Sequence, residues 1–357
     1  MTALYLVIAI LVFGFLIFIH ELGHFIAAKL CGVRVNEFSI NMGPKLFGWK
    51  RGETQYSFRL LPIGGYCAME GEDEATGDPR AFTAAKWWKR LIILCAGSFM
   101  NLLTGFVIVA ILFGFFYGMQ TTEIVAFDPG SALEEQGVLV GDEIYSIGGK
   151  RTYTQADFQL LEGRYDPADT ELVVVRDGEK VTIEHFKMEK REFENEDGTK
   201  ELRYGIRIGS LLEANFVNVN RFAAQQCMDF ARTVWYGLQD MVRGKVAKKD
   251  FGGPAKITQI MVESGKEVEQ SAGVGEAILN ILYIGALIAV NLAVMNMLPI
   301  PALDGGRVLF LLINTIYTAI TKKKINPKYE GYIHGGAMVL LLALMAFIFV
   351  KDIVEMI

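Results

Sequence analysis

His20-Glu21-Leu22-Gly23-His24 closes an apolar run that begins at Leu4, and it constrains the fold more than any other stretch. On a helix this spacing puts His20 and His24 one turn apart on one face, where both imidazoles can hold one metal ion. Glu21 then falls beside the metal's open position, as a candidate base for water. The run is long enough to cross a bilayer, for which about 20 residues suffice. A charged side chain at that depth costs roughly 2.5–3.5 kcal/mol on insertion scales, which disfavours a chance placement. The alternative is a fortuitous motif whose side chains snorkel to the interface. Two of the four histidines in the chain lie here, which weighs toward a metal site within the membrane.

Composition agrees. Of 357 residues, 52% are hydrophobic and 21% charged, the balance of a membrane protein with a substantial water-exposed part. A net charge of −5 gives no reason to expect nucleic-acid binding. Cys31, Cys67, Cys95 and Cys227 show no paired spacing, so neither a disulfide framework nor a thiolate metal site is indicated. The first apolar run lacks the basic start and small-residue cleavage site of a signal peptide, and reads as a retained spanning helix.

Four stretches are apolar enough to span, at about residues 4–26, 91–118, 277–300 and 332–350. Lysines and arginines crowd the segments after the first, before the second, and between the third and fourth. The positive-inside rule makes those segments cytoplasmic. Both termini and the 119–276 region then face outside, and the paired histidines lie near the cytoplasmic side. The expected division is 1–118, a first membrane half; 119–210, a soluble domain; 211–276, an amphipathic helical region; and 277–357, a second membrane half.

Residues 33–69 alternate apolar and polar positions, so Val33–Ile40 and Thr54–Leu61 read as strands, with turns at the Gly and Pro breaks. This sheet is either a simple link between helices or an edge that pairs with an extended peptide. Glu70–Asp78 reads as a solvated acidic loop. In the second span, Gly97-x-x-x-Asn101-x-x-x-Gly105 suits close packing on the first helix, and Asn101 could also orient a group of the site. From Ile124 to His185 the chain becomes strand-rich, and Gly141-Asp142-x-Ile144 resembles the strand signature of PDZ domains, which bind chain ends by strand addition. Residues 190–200 lack periodicity and read as a loop. Arg221–Gly244 has an apolar face through Cys227, Phe230, Trp235 and Met241, for a core or for the outer membrane surface.

The third span runs into Asn296-Met297-Leu298-Pro299-Ile300-Pro301-Ala302-Leu303-Asp304-Gly305-Gly306. Two prolines remove backbone donors, so the helix breaks here at membrane depth, which is tolerated only where the backbone is buried or lines a wet cavity. Asp304 is then the natural third ligand, giving His, His and Asp plus a water. As a helix cap just outside the bilayer it would need no metal. His334 and Glu330, beside a lysine-rich loop, are rival ligands.

Together these motifs resemble the site-2 proteases, bacterial intramembrane zinc metalloproteases of the RseP type, over nearly the full chain. His20 to Phe25 corresponds to the zinc motif and Asn296 to Gly306 to the second signature, whose aspartate is Asp304 here. Arg59 to Tyr66 corresponds to the membrane-associated β-region, Gly97-x-x-x-Asn101 to a second-helix pattern, and Gly252-Gly253-Pro254 to an element before the third span. The resemblance implies a polytopic α-helical membrane protein with four spanning helices, a β-region and one inserted extracytoplasmic PDZ domain. It implies Zn2+ on His20, His24 and Asp304, Glu21 as catalytic base, and a substrate segment held by the sheet with Asn296, Pro299 and Pro301. Expected substrates are single-span proteins of the bacterial inner membrane, such as trimmed anti-sigma factors or signal-peptide remnants, with a peptide chain end at the PDZ domain. Enterobacterial RseP carries two such domains, and many relatives have Pro where Ser98 stands. Two other readings share the buried charges: a transporter with His20, Glu21 and Asp304 as a proton or ion relay, and a non-catalytic scaffold presenting the PDZ domain.

Overall fold

The computed structural model describes residues 2–72, 76–194, 199–245, 253–323 and 327–356. In chain order they form α1 (Thr2–Cys31), β1 (Val35–Arg51), β2 (Thr54–Met69), α2 (Trp87–Leu112), β3 (Met119–Gln120), β4 (Ile124–Phe127), β5 (Glu143–Ile147) and β6 (Lys150–Arg151). There follow α3 (Ala156–Leu161), β7 (Thr170–Arg176), β8 (Glu179–Phe186), β9 (Arg191–Glu194), β10 (Lys200–Arg203), β11 (Ile206–Ile208) and β12 (Leu211–Leu212). Four helices close the chain: α4 (Phe216–Val242), α5 (Pro254–Asn296), α6 (Asp304–Thr321) and α7 (Pro327–Met356). Two compact units result, one joining the residues up to Ile108 with those from Val234, the other made of Val109–Thr233.

Four helical stretches in the described residues are long and apolar enough to cross a membrane: Thr2–Cys31, Trp87–Tyr117, Ala255–Asn296 and Tyr329–Ile348. Their outward faces are apolar, with Leu4, Leu11, Phe15, Phe99 and Val107 among many exposed large side chains. The third stretch departs from the expected 277–300. Gly273, at φ 90°, breaks the helix inside α5. In a straight helix Ser264 and Asn280 would lie about 24 Å apart. Here the Asn280 amide donates to Ser264 Oγ at 2.7 Å, so the two halves fold against each other as a hairpin. Met261 and Val262 from one half and Ala277 and Ile281 from the other pack on Tyr5, Ala9 and Leu16 of α1. The helix ends at Asn296 because Met297–Leu303, with Pro299 and Pro301, forms a tight turn before α6.

The β-region differs from two short strands. Gly43-Pro44, Gly48 and Pro62–Gly65, expected as breaks, lie inside two long strands that turn only at Gly52. Register shifts absorb them. As a result residues 37–40 of β1 lie between two stretches of β2: Phe38 faces both Tyr56 and Cys67, and Ile40 both Phe58 and Gly65. Phe25 and Phe18 of α1 pack their rings on Phe38, which fixes the sheet to the helix carrying both histidines. Arg59 bridges Glu37 at 2.8 Å and the Gly43 carbonyl at 2.7 Å, so the bent strands are also tied by charge.

In the second unit, β6-β5-β7-β8 form a four-stranded sheet. Asp142, 1% exposed, receives Arg176 through two contacts of 2.8 Å and the Leu139 N–H at 2.9 Å. Residues 190–200, expected as loop, instead supply strand: 191–194 pair with 200–203 as the hairpin of β9 and β10. The chain's entry and exit meet where β3 pairs with β12 and the Thr121 N–H donates to Ser210 O. Along α4, Phe222, Cys227 and Phe230 are buried whereas Trp235 and Met241 are exposed. Asp229 is buried too, at 2% exposure, because Arg232 lies 3.5 Å from it and 3.0 Å from the fully buried Asp157. Burial first, then the neighbouring Asp157 charge, pushes the Asp229 carboxyl up to about 7. Gly252, Lys324 and parts of the 70–78 and 190–200 segments lie outside the described residues.

Candidate metal centre

His20 and His24 share a face of α1 and are largely buried, at 9% and 6% exposure. Asp304, at the start of α6, completes a cluster with them. Its Oδ2 lies 3.2 Å from His20 Nε2 and 3.2 Å from His24 Nε2, and the two nitrogens are 3.3 Å apart. Zinc–ligand bonds of about 2.0–2.1 Å at tetrahedral angles separate neighbouring donors by about 3.3 Å. The triangle therefore has the size of one face of a zinc site.

Hydrogen bonding gives an independent test of the fit. His24 Nδ1 lies 2.8 Å from the Ile93 carbonyl, which can only accept, so the ring proton sits on Nδ1. Its Nε2 lone pair then faces Asp304 Oδ2, a buried atom that accepts no hydrogen bond. That lone pair and the carboxylate oxygen repel unless a cation lies between them. Imidazole and carboxylate together are the donor set that zinc takes.

Three features bring the elements this close. Gly23 leaves room for the backbone of Ala96, so α1 and α2 can touch. A methyl group on Gly97 would run into both imidazoles, so glycine is required opposite the histidines. Gly305 and Gly306 lie against the backbone of Met297–Pro301, so the double glycine provides space for the turn. The turn holds Ala302 at φ 79°, a left-handed conformation costly for alanine. The Ala302 N–H donates to His334 Nδ1 at 3.0 Å. His334 is thus an anchor of the turn, and neither it nor Glu330 joins the metal cluster.

Around this core the other expected residues divide. The Glu21 carboxylate accepts a hydrogen bond from the Cys67 N–H, and Gly65 packs against its stem. Residues 65–69 pair with β1 on one side only among the described residues. The Asn296 amide nitrogen lies 3.5 and 3.4 Å from the two His20 ring nitrogens. Pro299 and Pro301 sit in the turn before Asp304. Asn101 Nδ2 lies 3.4 Å from His20 Nδ1. The contact between Cys67 and Glu21 has no signal in local sequence, since it depends on the double pairing of β1.

Comparison with known proteins fits this geometry. The model of peptidase family M50 matches residues 8–344. A provisionally named zinc metalloprotease of Clostridium acetobutylicum is 35% identical over 98% of this chain and 97% of its own length. A provisionally named zinc metalloprotease of Clostridium perfringens is 33% identical over 98% and 99%. The regulator of sigma-W protease RasP of Bacillus subtilis is 26% identical over 96% and 97%. This chain belongs to peptidase family M50, the site-2 proteases, and by that membership is a zinc-dependent peptidase.

Proposed function

We propose that the protein is an intramembrane protease that cuts single-span proteins within their membrane segment, with His20, His24 and Asp304 as zinc ligands and Glu21 as base. The observation that carries this reading is the convergence of those three ligand atoms within 3.2–3.3 Å, next to Glu21. When bound, zinc supplies Lewis-acid polarisation of a peptide carbonyl and of water. Glu21 takes the proton of the attacking water on its carboxylate and delivers it to the leaving amine. The Cys67 N–H holds that carboxylate at the edge of the sheet.

A transmembrane helix hides its amides in internal hydrogen bonds, so a substrate has to unwind before it can be cut. The one-sided edge at residues 65–69 supplies main-chain partners for the unwound strand next to Glu21. Asn296, with its amide over His20, and the turn of Pro299 and Pro301 complete the substrate cleft. Residues 119–210 form a single PDZ domain that takes a peptide chain end. The lysine and arginine distribution supports an extracytoplasmic place for it and for both termini, with the metal centre toward the cytoplasm. In the inner membrane of a bacterium the fitting substrates are anti-sigma factors already trimmed outside, and signal-peptide remnants. The name of the Bacillus subtilis relative, a regulator of sigma-W, points the same way.

Glu21→Gln tests the assignment: the purified protein retains zinc but no longer cleaves a single-span reporter. Proteolysis by Glu21→Gln at wild-type rate refutes it, and wild-type protein that lacks zinc but transports ions favours the relay reading instead.

A further inference from the structure

We infer that Asn101 is a positioning residue of the metal centre, with its side-chain carbonyl accepting the Nδ1 proton of His20. The inference rests on the zinc reading above and assigns a role to the second helix that packing alone does not.

If His20 binds the metal through Nε2, the atom nearest Asp304, a neutral ring carries its proton on Nδ1. That N–H is buried and needs an acceptor, as the corresponding His24 N–H finds in the Ile93 carbonyl. On α2 the amide of Asn101, 1% exposed, reaches His20 Nδ1, with Nδ2 at 3.4 Å. Two donors would then face each other. At the same time Asn101 Oδ1 is buried with no hydrogen-bond partner. One rotation of the amide by 180° turns the facing donors into a donor–acceptor pair and gives Oδ1 its partner, with Nδ2 moved to the place Oδ1 held; the oxygen and nitrogen are nearly equal in shape, so packing is unchanged.

Asn296 does not offer the same bond. Its amide nitrogen is about equally far from Nδ1 and Nε2, at 3.5 and 3.4 Å, so it lies off the direction of either ring N–H. Asn101 also lies one turn beyond Gly97, the position pressed against both rings, while Gly105 a further turn on lies against Val290 and Ala286 of α5. The Gly-x-x-x-Asn-x-x-x-Gly stripe thus divides its work: its first two positions serve the metal ligands, and only the third serves helix packing.

Such partners of a metal-bound histidine typically carry about 10–100-fold in metal affinity. The test compares zinc dissociation constants of the full-length protein, measured by competition with a chromogenic chelator, for wild type, Asn101→Asp and Asn101→Leu. Asn101→Asp keeps the acceptor and binds zinc within about threefold of wild type; Asn101→Leu keeps the volume, loses the acceptor and binds about 10–100-fold more weakly. Equal affinities for Leu and wild type, or an equal loss for Asp and Leu, overturn the inference. Wild-type protein alone supplies a second readout if a variant does not fold. Its zinc-loaded form, labelled with 15N-histidine, should show two slowly exchanging Nδ1–H signals, from His20 and His24. His185 is exposed and His334 accepts at Nδ1, so neither adds one. A single slow signal overturns the inference, whereas wild-type protein that binds no zinc defeats the zinc reading beneath it.

Discussion

Replacing Gly97 with alanine probes how closely the second helix supports the metal ligands. The added methyl carbon would lie 2.7 Å from His20 Cε1 and 2.9 Å from His20 Nδ1, and nearer still to His24 Nε2. Comfortable contact needs about 3.5–4.0 Å, so the rings or the helix must retreat by roughly 1 Å. Neither yields easily. His24 is tied to the Ile93 carbonyl at 2.8 Å, and the backbone of Ala96 already rests on Gly23. Overpacking of this kind typically costs about 1–3 kcal/mol of stability. A displacement of about 1 Å at a catalytic centre costs on the order of 100-fold in rate. We expect kcat/KM on a single-span reporter to fall about 100-fold and the zinc content per chain to drop, measured in detergent or nanodiscs. Gly14→Ala, at a glycine of the apolar run of α1 with nothing within 4 Å, is the control and should change neither. Gly97→Ala protein with full zinc and activity within about threefold of wild type would refute the reasoning.

Asp229→Asn tests the buried carboxylate of α4. Its carboxyl, ordinarily near 3.8, titrates near 7 in the folded state, so the folded chain binds more protons than the unfolded one between those values. Stability of the Val109–Thr233 unit should therefore fall as pH rises from about 4 to 7 and level off above. Asn at this position should flatten that slope in thermal unfolding and raise stability at pH 8; an unchanged slope counts against the role of Asp229. Removing residues 122–210 should leave a chain that can be joined, since Thr121 and Ser210 are already hydrogen-bonded neighbours. If residues 122–210 exclude untrimmed substrates, the shortened protein should cut full-length substrate that wild type leaves intact, as read on immunoblots; continued exclusion of the untrimmed form would contradict that role.

Much of the centre was legible in the sequence, for a physical reason. The histidine pair and Glu21 are local on one helix, so their shared face follows from helical periodicity alone. Asp304 was readable because Pro299 and Pro301 force a broken helix at membrane depth. What the sequence concealed was non-local. The Gly and Pro positions of residues 43–65 suggested turns, whereas bulges absorb them and carry Cys67 to Glu21. His334 looked like a rival ligand because ligand chemistry is visible in a residue type, while its bond to Ala302 depends on a turn 32 positions away. The hairpin within α5 was equally hidden, since nothing in the sequence sets Gly273 apart from Gly265 and Gly275, which the helix absorbs. The burial of Asp229 is hidden in the same way, because its partners Asp157 and Arg232 meet it only in the fold.

Zinc on His20, His24 and Asp304 should cut peptide bonds inside a membrane segment. The most direct test reconstitutes the purified protein in lipid with a single-span substrate and determines the masses of both products. One cut within the apolar segment is expected, abolished by Asp304→Ala and by a zinc chelator, and restored in the chelator-treated wild type by added zinc. A cut confined to the soluble flank, or one indifferent to chelator and to Asp304→Ala, would contradict it.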